Sequence, residues 1–214
     1  MTKPFGAIAF TDAVKELQEK NGSRASYARV EKKAHRDGLG PNETAFIATM
    51  DHFYMASYSE SQFPYIQHRG GPKGFVRVLD KNRIGFIDFS GNRQYISAGN
   101  IQTNNHVALI MVDYPSRARL KILATAEIVE LKENDELFAL LNLDDYTFTP
   151  ERMMVLQIEA YDWNCQQHII PRYTIEEIQE AFAGEQLKVT ALQHENQLLK
   201  KKLQNAGISI DDVQ

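Results

Sequence analysis

Hydrophobic and polar positions change period near residue 53, and that change divides the chain. Before it, residues 11–20 (TDAVKELQEK) put Val14 and Leu17 on one helical face. Asp12 can cap this helix and Asn21-Gly22 can stop it. Gly40-Pro41-Asn42 then opens a short helix over roughly 43–49. After it, Phe53–Tyr58, Pro64–Arg69, Phe75–Asp80 and Ile84–Phe89 are short runs rich in β-branched and aromatic residues, separated by turn chemistry, and read as strands. Gly70–Gly74 separates the second from the third, and Asp80–Arg83 makes a hairpin. A helix over about 94–103 follows Ser90-Gly91-Asn92. Two long strands, His106–Tyr114 and Arg119–Glu130, are joined through Pro115-Ser116. Residues 133–141 form a helix with acid at its N-terminal end, which suits the helix dipole. Met153–Tyr161 is a last strand and Ile175–Phe182 a helix. Alternating βαβ units are missing, so a doubly wound parallel sheet is excluded. The pattern predicts a mainly β, α+β protein: an antiparallel barrel or sandwich with peripheral helices.

The tail has its own period. In residues 185–205 (EQLKVTALQHENQLLKKKLQN), Val189, Leu192, Asn196, Leu199 and Leu203 step by alternating threes and fours. That is an a/d heptad seam, and one Asn at a with Leu at d favours a parallel two-stranded coil. The other reading is a helix packed on its own barrel, or a tail beyond it. The expected division is a body over 1–183 and a C-terminal amphipathic helix over 184–214.

Composition narrows the class. With 43% hydrophobic and 24% charged residues in 214, usage is that of a globular chain long enough to bury a core. One cysteine, Cys165, forbids an intrachain disulfide and suits a reducing compartment. The net charge of −4 argues against a nucleic-acid binder. Ser23–Gly40 is locally basic (Arg24, Arg29, Lys32, Lys33, Arg36 against Glu31 and Asp37). It reads as a solvated helix face or as an anion site. Pro4–Phe10 lacks the features of an export signal, and the longest apolar run, Val107–Val112, is far too short to span a membrane. A soluble, cytoplasmic protein with no membrane partner is expected.

Nucleotide-loop and metal-ligand motifs are absent: no G-x-G-x-x-G between strand and helix, no Walker pattern, no H-E-x-x-H, no C-x-x-C. Cys165 and His168 are three residues apart, but their context reads as loop rather than as a nucleophilic pair. Two other segments concentrate polar chemistry. In the first, Gln67, His68 and Arg69 end a strand before the glycine-rich turn. In the second, strand alternation puts Asp88 on the face of Ile84 and Phe86, where a carboxylate needs a partner. Ser90-Gly91-Asn92-Arg93 then sits where a helix begins, and free N–H groups with an arginine make an anion site. Alone, each segment is also a plain hairpin tip or helix start. Together, on neighbouring strands, they point to a phosphate-bearing ligand.

Five motifs in order carry a resemblance: Gln67-His68-Arg69-Gly70-Gly71-Pro72, Gly91-Asn92-Arg93-Gln94-Tyr95, Asp113-Tyr114-Pro115, Arg119-Leu120-Lys121, and Asp162-Trp163-Asn164-Cys165 with Gln167-His168-Ile169. Over about residues 25–183 the chain resembles the pyridoxamine 5′-phosphate oxidase-like, FMN-binding split-barrel family, in its oxidase-related branch. The resemblance implies a homodimer of split barrels with FMN between the subunits. Gly91-Asn92-Arg93-Gln94 falls where the oxidases place a serine-arginine-lysine on the FMN phosphate; Arg93 matches, and Gln94 removes a charge. Gln67 falls near the oxidases' other phosphate arginine, with His68 and Arg69 beside it to supply charge. Arg119 and Lys121 lie on the strand that reaches the flavin from the partner subunit. Trp163 and Arg172 fall near the oxidases' late tryptophan and arginine, and Asp162-Trp163-Asn164 is expected to close over the ligand. Asp88 and Gln67 suit the polar edge of the flavin ring. The function implied is an FMN-dependent oxidoreductase of unknown substrate, such as a flavin or small-quinone reductase. The alternatives are a non-catalytic flavin-, heme- or F420-type binding or stress protein on the same barrel, and a β interaction module with no cofactor.

Overall fold

The structure, a computed structural model, describes residues 2–33, 37–164 and 166–207. It divides into two compact units, one through Ile169 and one from Ile170 onward.

The first unit opens with four helices: α1 (Phe5–Ala9), α2 (Asp12–Lys20), α3 (Arg24–Lys33) and α4 (Pro41–Thr49). The strands follow as β1 (His52–Tyr58), β2 (Pro64–Gly70), β3 (Arg77–Asp80) and β4 (Arg83–Phe89). Next come α5 (Ile96–Thr103), β5 (His106–Asp113), β6 (Ala118–Val129), α6 (Asp135–Leu141) and β7 (Pro150–Asn164). The strands form one antiparallel seven-stranded sheet in the order β2-β1-β5-β6-β7-β4-β3. The sheet curls into a split barrel. It closes through side chains: Arg69 of β2 donates to Asp88 of β4, although β1, β5, β6 and β7 lie between them in the sheet.

Alternation explains the interior. On β1 Phe53 and Met55 are buried while Tyr54 and Ala56 are half-exposed, and β5 and β6 repeat the pattern. Phe53 packs edge-on against Phe86 at 5.2 Å and stacks with Phe75 at 5.8 Å, across the barrel. Each such side chain contributes about 1.5–3 kcal/mol on burial. A second, smaller cluster of Ile87, Leu141 and Met153 lies on the opposite face of β4 and β7, under α6. β4 is therefore buried on both faces.

Several boundaries differ from the expected ones. β3 begins at Arg77, because Phe75 and Val76 fold inward from a turn and fill the core instead of pairing. α5 begins at Ile96, after two residues with left-handed backbone, Arg93 (φ 58°) and Tyr95 (φ 57°). β7 runs from Pro150 to Asn164, longer at both ends than its apolar run, because β4 pairs with its start from Pro150 and β6 with its end through Asn164. Pro4–Phe10 carries a short helix, α1, and much of the basic stretch is helical as α3. Within it Arg24 is half-buried and engaged by Glu31 and by Gln18; Arg36 lies outside the described residues.

The second unit contains α7 (Ile175–Asn205), one continuous helix. Thr174 Oγ1 accepts from the Glu177 N–H, and Glu177 Oε2 accepts from the Thr174 N–H, a reciprocal cap. Gly184, expected at the boundary, lies inside this helix. No described helix is long and apolar enough to cross a membrane.

Candidate functional site

Strand alternation sorts the first polar segment. Tyr65, Gln67 and Arg69 share the partly buried face of β2, while Ile66 and His68 are exposed on the other. His68 therefore turns away from Gln67 and Arg69. Its ring stacks on His52 at 5.7 Å and meets Tyr54 edge-on at 5.4 Å.

On the Gln67 face, three elements converge. The Ser97 hydroxyl of α5 donates to Gln67 Oε1 at 2.7 Å, and Asn100 Nδ2 donates to Ser57 Oγ of β1 at 3.0 Å. Those two bonds pin α5 across β1 and β2. Behind them, Arg69 donates through Nη1 to Asp88 Oδ1; their side chains are only 13% and 8% exposed. Sheet register places Arg152 of β7 opposite Asp88, so the carboxylate lies between two guanidinium groups. Burial pushes the Asp88 carboxyl above its ordinary range, opposed by Arg69 and Arg152. Burial also lowers the Arg69 guanidinium, opposed by Asp88.

These groups line a cavity of ≈200 Å³. Six expected residues reach it: Gln67, Arg69, Asp88, Asn92, Arg93 and Gln94. Tyr65, Tyr95, Ser97, Glu151 and Arg152 also line it. Arg152 Nη2 lies 3.2 Å from Glu151 Oε2, and its guanidinium sits 5.0 Å from the Tyr95 ring centroid. The Tyr95 hydroxyl donates to Glu151 Oε1 at 2.8 Å, a bond that raises the phenol above its ordinary value.

The cavity suits an anion. Its lining has three arginines against two carboxylates. Two of the arginines are paired, and Arg93 is exposed. Arg69 Nε is buried without a hydrogen-bond partner. Tyr95 at the N-cap of α5 makes no side-chain cap, and Ile96, Ser97 and Ala98 of the first turn line the cavity. First-turn N–H groups have no partner within the helix. An uncapped helix start, an exposed arginine and an orphaned guanidinium N–H form the donor set a phosphate takes.

The remaining expected residues lie elsewhere. Arg119 and Lys121 are on β6 and do not line the cavity. Lys121 Nζ is 3.2 Å from Asp162 Oδ2 and 4.5 Å from the Phe5 ring centroid. Trp163 donates through Nε1 to Glu43 Oε1 at 2.7 Å and packs edge-on against Phe46 at 4.8 Å. It fills the space between β7 and α4. Arg172 belongs to the second unit. Cys165 lies outside the described residues. A larger cavity, ≈570 Å³, is lined by Ile8, Ala56, Tyr58, Ala108 and Leu123 among others, and by no expected site residue.

Residues 33–162 match the family model of pyridoxamine 5′-phosphate oxidase. The chain belongs to this family. No curated protein matches it in sequence. Among solved structures, HupZ of group A Streptococcus is 14% identical, covering 63% of this chain and 99% of its own, with a TM-score of 0.48. An FMN-binding protein of Syntrophomonas wolfei is 12% identical, over 69% of this chain and 97% of its own, with a TM-score of 0.45. The heme storage protein HutZ of Vibrio cholerae is 17% identical, over 57% and 91%, with a TM-score of 0.38. The oxidase-family membership rests on the sequence match.

Proposed function

We propose that this oxidase-family chain is an FMN-binding flavoprotein, acting as an oxidoreductase, and that the cavity bounded by β2, β4, β7 and α5 holds the FMN phosphate. One observation carries the reading. Gln67 and Arg69, and the separate stretch from Asp88 to Gln94, line one cavity at the uncapped start of α5. Arg93 and the first-turn N–H groups of α5 bind the phosphate. Arg69 Nε and Arg152 add positive charge from below, and Gln67, held by Ser97, presents its amide N–H to the ligand.

At ≈200 Å³ the cavity is smaller than the roughly 300–1,000 Å³ of whole-ligand sites. It takes the phosphate end, and the flavin ring lies outside it. A homodimer completes the site, with Arg119 and Lys121 reaching the ring from the partner subunit. When bound, the flavin itself supplies the electron- and hydride-transfer chemistry. The chain's residues bind and orient it.

The test is Arg93→Ala, titrated as apoprotein with FMN and with riboflavin. Loss of a charge-assisted contact costs about 1.5–3 kcal/mol, so FMN binding falls roughly 10- to 100-fold. Riboflavin, which lacks the phosphate, is expected to change little. Equal weakening of both would remove Arg93 from the phosphate. Bleaching of the yellow protein by NADH or NADPH, with recovery in air, separates an oxidoreductase from a flavin-binding protein without turnover.

A further inference from the structure

α7 carries a longer apolar seam than its C-terminal half alone suggests. Because the helix is unbroken from Ile175, the heptad frame set by Val189, Asn196 and Leu203 at a extends backward to Phe182 and Ile175. The d positions are Ile178, Glu185, Leu192 and Leu199. The seam thus has two apolar blocks, Ile175–Phe182 and Val189–Leu203, separated at Glu185, which pairs with Lys188 at 3.0 Å. No residue of α7 is buried; Phe182 is 61% exposed and Leu192 64%. Leu187 and Leu198 fall outside the seam.

We infer that α7 pairs with α7 of a second copy of this chain as a parallel, in-register coiled coil. Two features choose that occupant and that direction. First, Asn196 is the polar residue at a. Only parallel, in-register pairing sets Asn196 against its own copy, where two amides can hydrogen-bond. An antiparallel pair that keeps the apolar layers matched instead sets Asn196 opposite Glu185, and other registers bury the amide against an apolar side chain without a partner. Second, Glu195 takes a g position and Lys200 the e position of the next heptad. In a parallel pair those positions face each other across the seam, giving two symmetric opposite-charge contacts. The pairing does not depend on what the barrel binds.

Crosslinking of full-length protein tests it. In a Cys165→Ser background, Ile178→Cys and Leu199→Cys are made separately. These positions are 21 residues apart, about 31 Å along the helix. Parallel, in-register pairing brings each to its own copy, so both variants form disulfide-linked dimers in high yield under mild oxidation. An antiparallel pair can bring at most one of them to its own copy. Adding Leu192→Asp to Leu199→Cys is expected to abolish the crosslink while the barrel stays folded, because Leu192 belongs to the second unit. Crosslinking of only one position, of neither, or of the charged double variant as readily as its parent would overturn the proposal.

Discussion

Asp88 and Arg69 tie edge strand β2 to β4 on the far side of the sheet, and their electrostatics are those of a buried pair. Removing one partner of such a pair leaves an uncompensated charge and costs about 3–5 kcal/mol. Arg69→Leu is therefore expected to destabilise the protein by that order at neutral pH. It also removes the largest influence lowering the Asp88 carboxyl, so that group titrates higher still. A carboxyl raised in the folded state binds a proton that the unfolded chain does not hold. Stability then falls as pH rises from the ordinary carboxylate range through the raised value. Urea unfolding should show Arg69→Leu closer to the native protein at pH 5 than at pH 8; the same gap at both values would refute this. Alternation alone placed Asp88 on an apolar face in need of a partner. It could not name the partner, because Arg69 and Arg152 become its neighbours only through barrel closure and strand register.

α5 is the element that gives the site its shape. Its backbone start is uncapped, and its position is set by Ser97 on Gln67 and by Asn100 on Ser57. Asn100 and Ser57 are both buried, so Asn100→Ala leaves an unsatisfied hydroxyl and costs about 1–3 kcal/mol. If α5 aims the phosphate site, the same variant also weakens FMN binding, although Asn100 does not line the cavity. Thermal unfolding and FMN titration together check this; reduced stability with unchanged FMN affinity would make Asn100 purely structural. α5 starts two residues later than its pattern predicts because Arg93 and Tyr95 take left-handed backbone, which neither residue type signals. By contrast, Tyr65 was legible in principle, two residues from Gln67 on the same strand face. Trp163 was not. Its contacts with Glu43 and Phe46 arise from α4, an element more than a hundred residues earlier in the chain.

At the scale of the whole chain, the seven strands are legible as runs separated by turns, whereas their order, with β1 beside β5 and β4 beside β7, comes from long-range pairing that no local pattern displays. The second unit holds one long helix, α7, and the sequence carries a heptad period along it. Gly184 lies inside α7, because a glycine on the polar side of a long helix weakens it without ending it. The two units divide the work of assembly differently. If the barrel carries the flavin and α7 pairs with its copy, removing α7 lowers the effective concentration of one subunit for the other without touching the phosphate cavity. A chain ending at Tyr173 keeps Arg172 and every residue that lines that cavity. At high protein concentration it is expected to hold as much FMN per subunit as the full chain. On dilution it should dissociate at a higher concentration and release its flavin earlier, because half of the proposed ring site leaves with the partner. Analytical ultracentrifugation with absorbance detection at the flavin band follows subunit and cofactor in one experiment. Flavin loss at all concentrations would place α7 or its neighbours in the binding site itself. Identical dilution curves would show that the barrel alone sets the dimer.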